Sequence, residues 1–187
     1  MDTSKISSEY LKIQKDLHKD SLYGKANNFY FGIIHEIMNK IDVKSICDYG
    51  AGKKGLKVNL DSIGYTGEYY PYDPVYPEYG EPVPSDLLCC IDVLEHVEID
   101  YLDNVLDDLK SLIVKLGILC ISTRPAKKFL SDGRNAHIIQ APISWWMLKI
   151  CERFDLEAFN KINEQGTKSH GFWVLVKPKK QTVKINS

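Results

Sequence analysis

The sequence predicts an α/β fold, a doubly wound and mostly parallel sheet with helices on both faces, and three observations carry that expectation. Strand-like apolar runs alternate with segments whose apolar residues recur at three and four, the pattern of helices laid on a sheet. A short β-prone run at 43–47 passes through an acid into a turn with glycines at 50, 52 and 55, then into helix-forming residues: strand, tight turn, helix. The run 87–93 is almost entirely apolar, as expected of a strand covered on both faces.

In chain order, residues 8–18 read as a weak helix, with Leu11 and Ile13 among many charges, that Tyr23-Gly24 ends; it is a candidate flap or lid. Ala26, Phe29, Tyr30, Ile33, Ile34, Ile37, Met38 and Ile41 form one helical stripe that needs a sheet to cover it. After the glycine turn a short helix spans 56–63, and the tyrosine-rich 64–72 is a strand stopping at Asp73-Pro74. Five of the eight prolines lie between Pro71 and Pro84. Proline inside a helix costs ~3 kcal/mol, so an extended loop is expected there. Beyond the strand at 87–93, Leu102, Val105, Leu106, Leu109 and Ile113 mark a helix over 101–113 that Gly117 breaks, and 118–122 is another strand. A polar tract, 123–140, leads to a helix with Ser144 as its expected N-cap, running through Trp146, Ile150 and Cys151. Residues 154–162 and 172–176 pair as a final antiparallel hairpin around the turn-prone 163–171, and a basic tail follows Lys177. At 187 residues one domain is expected, with N-terminal helices at 1–42, a core at 43–177 and a flexible tail at 178–187.

Composition narrows the function classes. The formal net charge is −1, from 24 basic and 25 acidic side chains, so no overall field gathers nucleic acid or an anionic membrane, and partners must be recognised locally. The amino terminus lacks an apolar signal core and no run approaches ~20 apolar residues, which predicts a soluble, cytoplasmic protein. Cys47, Cys89, Cys90, Cys120 and Cys151 contain no C-x-x-C pair, and four of them sit in strand-like runs as small core hydrophobes. The histidines and cysteines lack ligand spacing, so no metal is expected.

Three features converge: D-x-G-x-G at 48–52 after the first strand, an acid at 73 at the tip of the second, and D-V-L-E-H-V at 92–97 closing a later buried strand. Together they resemble the class I, Rossmann-like S-adenosylmethionine-dependent methyltransferases. In that family D-x-G-x-G is the cofactor loop, and a D-V-L-E-H-x signature follows the fourth strand. The likeness spans about 23–176, and the tract 123–146 is similar to uncharacterised bacterial and phage methyltransferase-domain proteins. It implies S-adenosylmethionine as cofactor and S-adenosylhomocysteine as product. Asp73, 21 residues after Gly52, is then the acid for the two ribose hydroxyls, followed by Pro74. Gly50, Ala51 and Gly52 let the backbone approach the cofactor, and Asp48 fixes the loop within reach of its amino group. Asp92, Val93 and Leu94 are implied to line the adjacent strand end, although Val93 and Leu94 read equally well as core.

One departure from the family stands out. Only twelve residues separate Asp73 from Asp86, so the usual helix and third strand are missing, and the acid that holds adenine in many relatives has no counterpart. Tyr76 and Tyr79 are candidates to cover the adenine, with Glu78 or Glu81 as polar partners. The acceptor is expected near the tract after residue 122, with Arg124, Arg134, Asn135 and Trp145 as candidate contacts. His137 is the first candidate for a general base and His96 the second, since imidazole titrates near neutrality. Against this, D-G-R-N-A-H also reads as a tight turn with its histidine bonded to backbone, and Glu95 and His96 as capping groups. No [DNS]-P-P-[YFW] tetrapeptide and no Pro-Cys pair marks a DNA-base methylase, which leaves a small polar acceptor, methylated at oxygen or nitrogen. Two other classes remain open: a nicotinamide-dependent oxidoreductase, because 50–55 matches G-x-G-x-x-G, and a non-catalytic binding scaffold on the same fold.

Overall fold

The computed structural model describes residues 4–20, 27–162 and 170–180. Two helices, α1 (Ser8–Leu17) and α2 (Asn27–Lys40), precede β1 (Ser45–Tyr49), α3 (Gly55–Ser62), β2 (Glu68–Tyr72), β3 (Ser85–Ile91), α4 (Leu102–Leu112), β4 (Ile113–Ser122), α5 (Ile143–Arg153), β5 (Phe154–Ile162) and β6 (Gly171–Pro178). The six strands form one sheet in the order β2-β1-β3-β4-β6-β5. The first four are parallel, and β6 runs antiparallel between β4 and β5. The expected Tyr23-Gly24 stop, Ala26 and most of the 163–171 turn lie outside the described residues.

The period of two along the central strands builds both layers of the core. Ile46, Leu87, Cys89, Ile118 and Cys120 face Ile34 and Ile37 of α2 and Leu56 and Leu60 of α3. Their neighbours Cys47, Leu88, Cys90, Leu119 and Ile121 face the opposite layer, with Leu102, Val105, Leu106 and Leu109 of α4 and Trp146 and Ile150 of α5. Burying each such aliphatic side chain contributes roughly 1.5–3 kcal/mol. Cys47, Cys89, Cys90 and Cys120 are buried thiols within these strands.

Three boundaries differ from the sequence reading. β1 continues through the acid to Tyr49, because Asp48 and Tyr49 pair with Pro71 and Tyr72. Gly117 does not break a helix: α4 ends at Leu112 and passes directly into β4, within which Gly117 lies. A Cβ there would stand 2.6 Å from Ile113 Cδ1 and 3.1 Å from Val176 Cγ2, so close packing explains the glycine. The cap of α5 is Pro142 in extended conformation, not Ser144. The proline-rich segment between β2 and β3 holds only a single 3-10 turn at Pro77–Tyr79, which leaves β2 at the sheet edge as the missing strand implied.

Candidate active site

The turn after β1 is held by the sheet itself. Gly50 and Ala51 donate their N–H groups to the Tyr72 carbonyl at 2.7 and 2.9 Å, which locks the loop to the tip of β2. Gly50 (φ 76°) and Gly52 (φ 50°) adopt left-handed conformations. A Cβ on Gly50 would stand 2.3 Å from Val93 Cγ2, so this backbone leaves no room for a side chain. Asp48 lies buried beneath the loop, accepts the Tyr69 hydroxyl at 2.6 Å, and is pushed up to about 7 by burial. It and Ala51 are outside the cavity wall and shape the loop from below.

Asp73 sits at the end of β2, 7% exposed, and accepts N–H groups from Gly52 (3.0 Å) and Val75 (2.9 Å) on separate carboxylate oxygens. Burial raises its pKa against these bonds and the nearby His18. The following loop departs from expectation. Tyr76 and Tyr79 stack on each other 5.1 Å apart, the Tyr79 hydroxyl donates to the Gly52 carbonyl, and the Lys54 ammonium lies 4.1 Å over the Tyr79 ring. The two rings brace the glycine loop, Glu78 and Glu81 are exposed, and Pro74 and Val75 line the cavity instead.

That cavity, of about 520 Å³, opens at the carboxyl ends of the parallel strands. Gly50, Gly52, Asp73, Asp92 and Val93 form its sheet side, while Lys5, Ile6, Tyr10, Gln14 and His18, on and around α1, form the opposite wall. The lid-like segment is thus a wall of the site. It is tied down by Tyr10, whose hydroxyl donates to the His96 carbonyl at 2.8 Å, and by Ser7, which donates to the Glu98 carboxylate through both N–H and hydroxyl. Leu94 is fully buried among Leu102 and Leu106 and belongs to the core. The sequence reading missed Tyr10, Gln14 and His18, which carry no motif and reach the cavity only through the packing of α1, and Tyr49, a variable position of D-x-G-x-G that reaches it from the end of β1.

At the base of the cavity, Asp92 takes a left-handed backbone conformation (φ 58°) just beyond β3. Glu95 is 0% exposed; its Oε1 accepts the Ser122 N–H at 2.5 Å, and burial drives its pKa well above the carboxylate range. His96 Nδ1 bonds the Ala136 carbonyl at 2.7 Å, and burial lowers this imidazole to about 4. His137 Nδ1 bonds the Arg124 carbonyl at 2.6 Å, and the two rings meet edge-on at 4.7 Å. The turn reading of D-G-R-N-A-H is therefore realised, with Gly133 at φ 88°, yet the turn delivers His137 to His96.

The other candidate acceptor contacts serve the tract itself. Asn135 clamps Ala126 through both its N–H and its carbonyl. Arg134 pairs with Asp132 and lies over the Tyr10 ring, and Trp145 packs edge-on against Trp146. None of these, nor Arg124, lines the cavity; Lys127 and Lys128 are the residues of this tract that do.

No family model and no curated protein matches the sequence. Solved structures do resemble it. The 1,6-didemethyltoxoflavin-N1-methyltransferase of Burkholderia thailandensis, with bound 1,6-didemethyltoxoflavin and S-adenosylhomocysteine, superimposes with a TM-score of 0.65 at 12% identity, over 96% of this chain and 94% of that one. Magnesium protoporphyrin IX methyltransferase from Synechocystis, with bound S-adenosylmethionine, gives 0.61 at 12% identity, over 93% and 100%. The N-methyltransferase of Bradyrhizobium japonicum, in complex with S-adenosylhomocysteine, gives 0.58 at 9% identity, over 93% and 100%. Strand order, the antiparallel β6 and these likenesses agree that the chain has the Rossmann-like fold of the S-adenosylmethionine-dependent methyltransferases.

Proposed function

We propose that the protein is an S-adenosylmethionine-dependent methyltransferase acting at oxygen or nitrogen of a small polar molecule. The observation that carries this reading is the convergence on one cavity of a side-chain-free glycine backbone, a buried strand-tip carboxylate and the Asp92–Val93 strand end, in a fold shared with proteins crystallised with that cofactor or its product. The residues fit the group. Gly50 and Gly52 expose main chain to the cavity, and a Cβ on Gly50 would close the loop against Val93. Asp73 uses one lone pair of each oxygen on backbone and keeps the others for two ribose hydroxyls. Pro74, Val75 and Val93 offer apolar surface to the flat base. Bound there, the cofactor supplies an electrophilic methyl carbon. The chain's own part is to orient an acceptor, exclude water with α1 and deal with the acceptor's proton. His96, which lines the cavity, and His137, whose ring meets it edge-on, are our candidates for handling that proton. A cavity of this size, and neighbours named for toxoflavin-type and porphyrin substrates, support a small-molecule acceptor.

Calorimetric titration with S-adenosylmethionine, S-adenosylhomocysteine and NADH tests the proposal. Micromolar binding of both sulfur nucleosides is expected, with at least a hundredfold loss in Asp73→Ala, since each hydrogen bond to a charged group contributes roughly 1.5–3 kcal/mol. Binding of NADH alone supports an oxidoreductase instead, and binding of none of the three supports a scaffold.

A further inference from the structure

We propose that Asp92, His96 and His137 bind a divalent first-row transition-metal ion at the base of the cavity, with Glu95 behind them, and that the ion's open positions hold an oxygen atom of the acceptor. One ligand atom from each of the three residues lies within 4.8 Å of the other two. Bonds of about 2.0–2.1 Å to a tetrahedral ion place ligand atoms roughly 3.4 Å apart, so small side-chain rotations complete the site.

The hydrogen bonds around the rings fix their chemistry. A carbonyl only accepts, so Nδ1 of His96 and of His137 must each carry the proton shared with Ala136 and Arg124. In the neutral ring the lone pair is then on Nε2. This is the second-sphere arrangement that orients metal-bound imidazoles, one ring nitrogen donating to a backbone carbonyl and the other facing the ion. The groups that gather here are the imidazoles of His96 and His137 and the Asp92 carboxylate, with Glu95 next to Asp92.

Glu95 is the independent observation. Its side chain is completely buried and Oε1 takes the Ser122 N–H, but Oε2 has no hydrogen-bond partner among the described residues, and its charged neighbour is Asp92. Two neighbouring carboxyl groups, one of them fully buried, need either a proton or a cation between them, and an ion on Asp92 supplies the cation. The mixed nitrogen and oxygen set selects ions such as Co²⁺, Mn²⁺ or Zn²⁺ over Mg²⁺ and Ca²⁺, which prefer oxygen alone. Three protein ligands leave coordination positions open, and Asp92 and His96 both line the cavity, so the open side faces it. The acceptor half of this proposal rests on the methyltransferase reading; the metal half does not.

The test uses the full chain, stripped with a chelator and titrated with Co²⁺, Mn²⁺, Zn²⁺ and Mg²⁺ in the absence of nucleoside. One transition-metal ion per chain is expected, at least tenfold tighter than Mg²⁺, with visible Co²⁺ absorption. Binding should weaken at least tenfold in His137→Asn and in Asp92→Asn with circular dichroism unchanged. In the wild-type chain Mn²⁺ should broaden the imidazole resonances of His96 and His137 before that of His35, which is exposed on α2. This readout stands even if a variant fails to fold. Failure of any ion to bind, affinity unchanged in folded variants, or first broadening at His35 overturns the site. Nucleoside binding without metal binding sinks this proposal alone, and the reverse result sinks the methyltransferase reading together with the acceptor half, leaving the metal site standing.

Discussion

The loop after β1 and the tract 123–140 meet across one site, yet they are held in opposite ways. The loop is an extension of the sheet: Gly50 and Ala51 bond the carbonyl of Tyr72, and Gly52 bonds the acid that follows it. The tract has almost no regular structure beyond a single bridge between Phe129 and Asn135. Its shape comes from individual polar contacts, with Asn135 clamping Ala126, His96 and His137 bonding carbonyls, and the Ile139 N–H reaching the Glu95 carbonyl. Backbone pairing makes the glycine loop rigid and intolerant of side chains. Separate side-chain bonds make the tract adaptable residue by residue, and loops held in this way are where specificity changes most readily.

Gly50→Ala strikes the rigid side hardest. The new methyl meets Val93 and the residue must hold φ 76°, so a loss of about 3 kcal/mol in urea unfolding is expected, with nucleoside binding abolished in the folded fraction. If Gly50→Ala binds nucleoside with wild-type affinity, the loop is more compliant than its pairing to β2 implies and the contrast between the two regions collapses.

That asymmetry also governs what could be read in advance. The glycine spacing, Asp73 and the buried runs at 43–47, 87–93 and 118–122 are local or periodic, so the sheet, its helices and the sheet side of the cavity were legible. Gly117 was misread because its constraint is a contact with Ile113 and Val176, invisible in a helical pattern. Leu94 sits within a motif but points into core, a direction that spacing does not give. The gathering of Asp92, His96 and His137 escaped notice because 40 residues of chain separate the two histidines and only the folded tract joins them. For the same reason Arg134 and Asn135, polar and near a strand end, looked like acceptor contacts while serving the loop's own structure.

Asp48 offers a smaller, pH-dependent probe of the rigid side. An acid whose pKa rises on folding stabilises the fold while protonated, so its contribution is whole below about 4 and is lost as pH rises through about 7. His96, lowered to about 4, acts in the other direction and weakens the fold as pH falls from 6.5. Subtracting the stability of Asp48→Asn from that of wild type at each pH isolates the first effect. The difference should fall with a slope of up to ~1.4 kcal/mol per pH unit between pH 5 and 7. A flat difference means that Asp48 is ionised in the fold and that Tyr69 and the loop solvate it better than its burial indicates.

The gentlest perturbation falls where α1 meets His96. Tyr10→Phe keeps a buried ring but removes the hydroxyl that donates to His96 O and accepts from Gln14 Nε2, leaving two polar groups without that partner. A loss of about 1 kcal/mol is expected, and its distribution is the informative part. If α1 opens as a separate unit over the cavity, hydrogen exchange should quicken several-fold in Tyr10–Leu17 amides while those of β3 and β4 stay as protected as before. An equal loss of protection in the central strands would instead make α1 part of the global fold, and access to the cavity would have to come from the tract around Lys127 and Lys128.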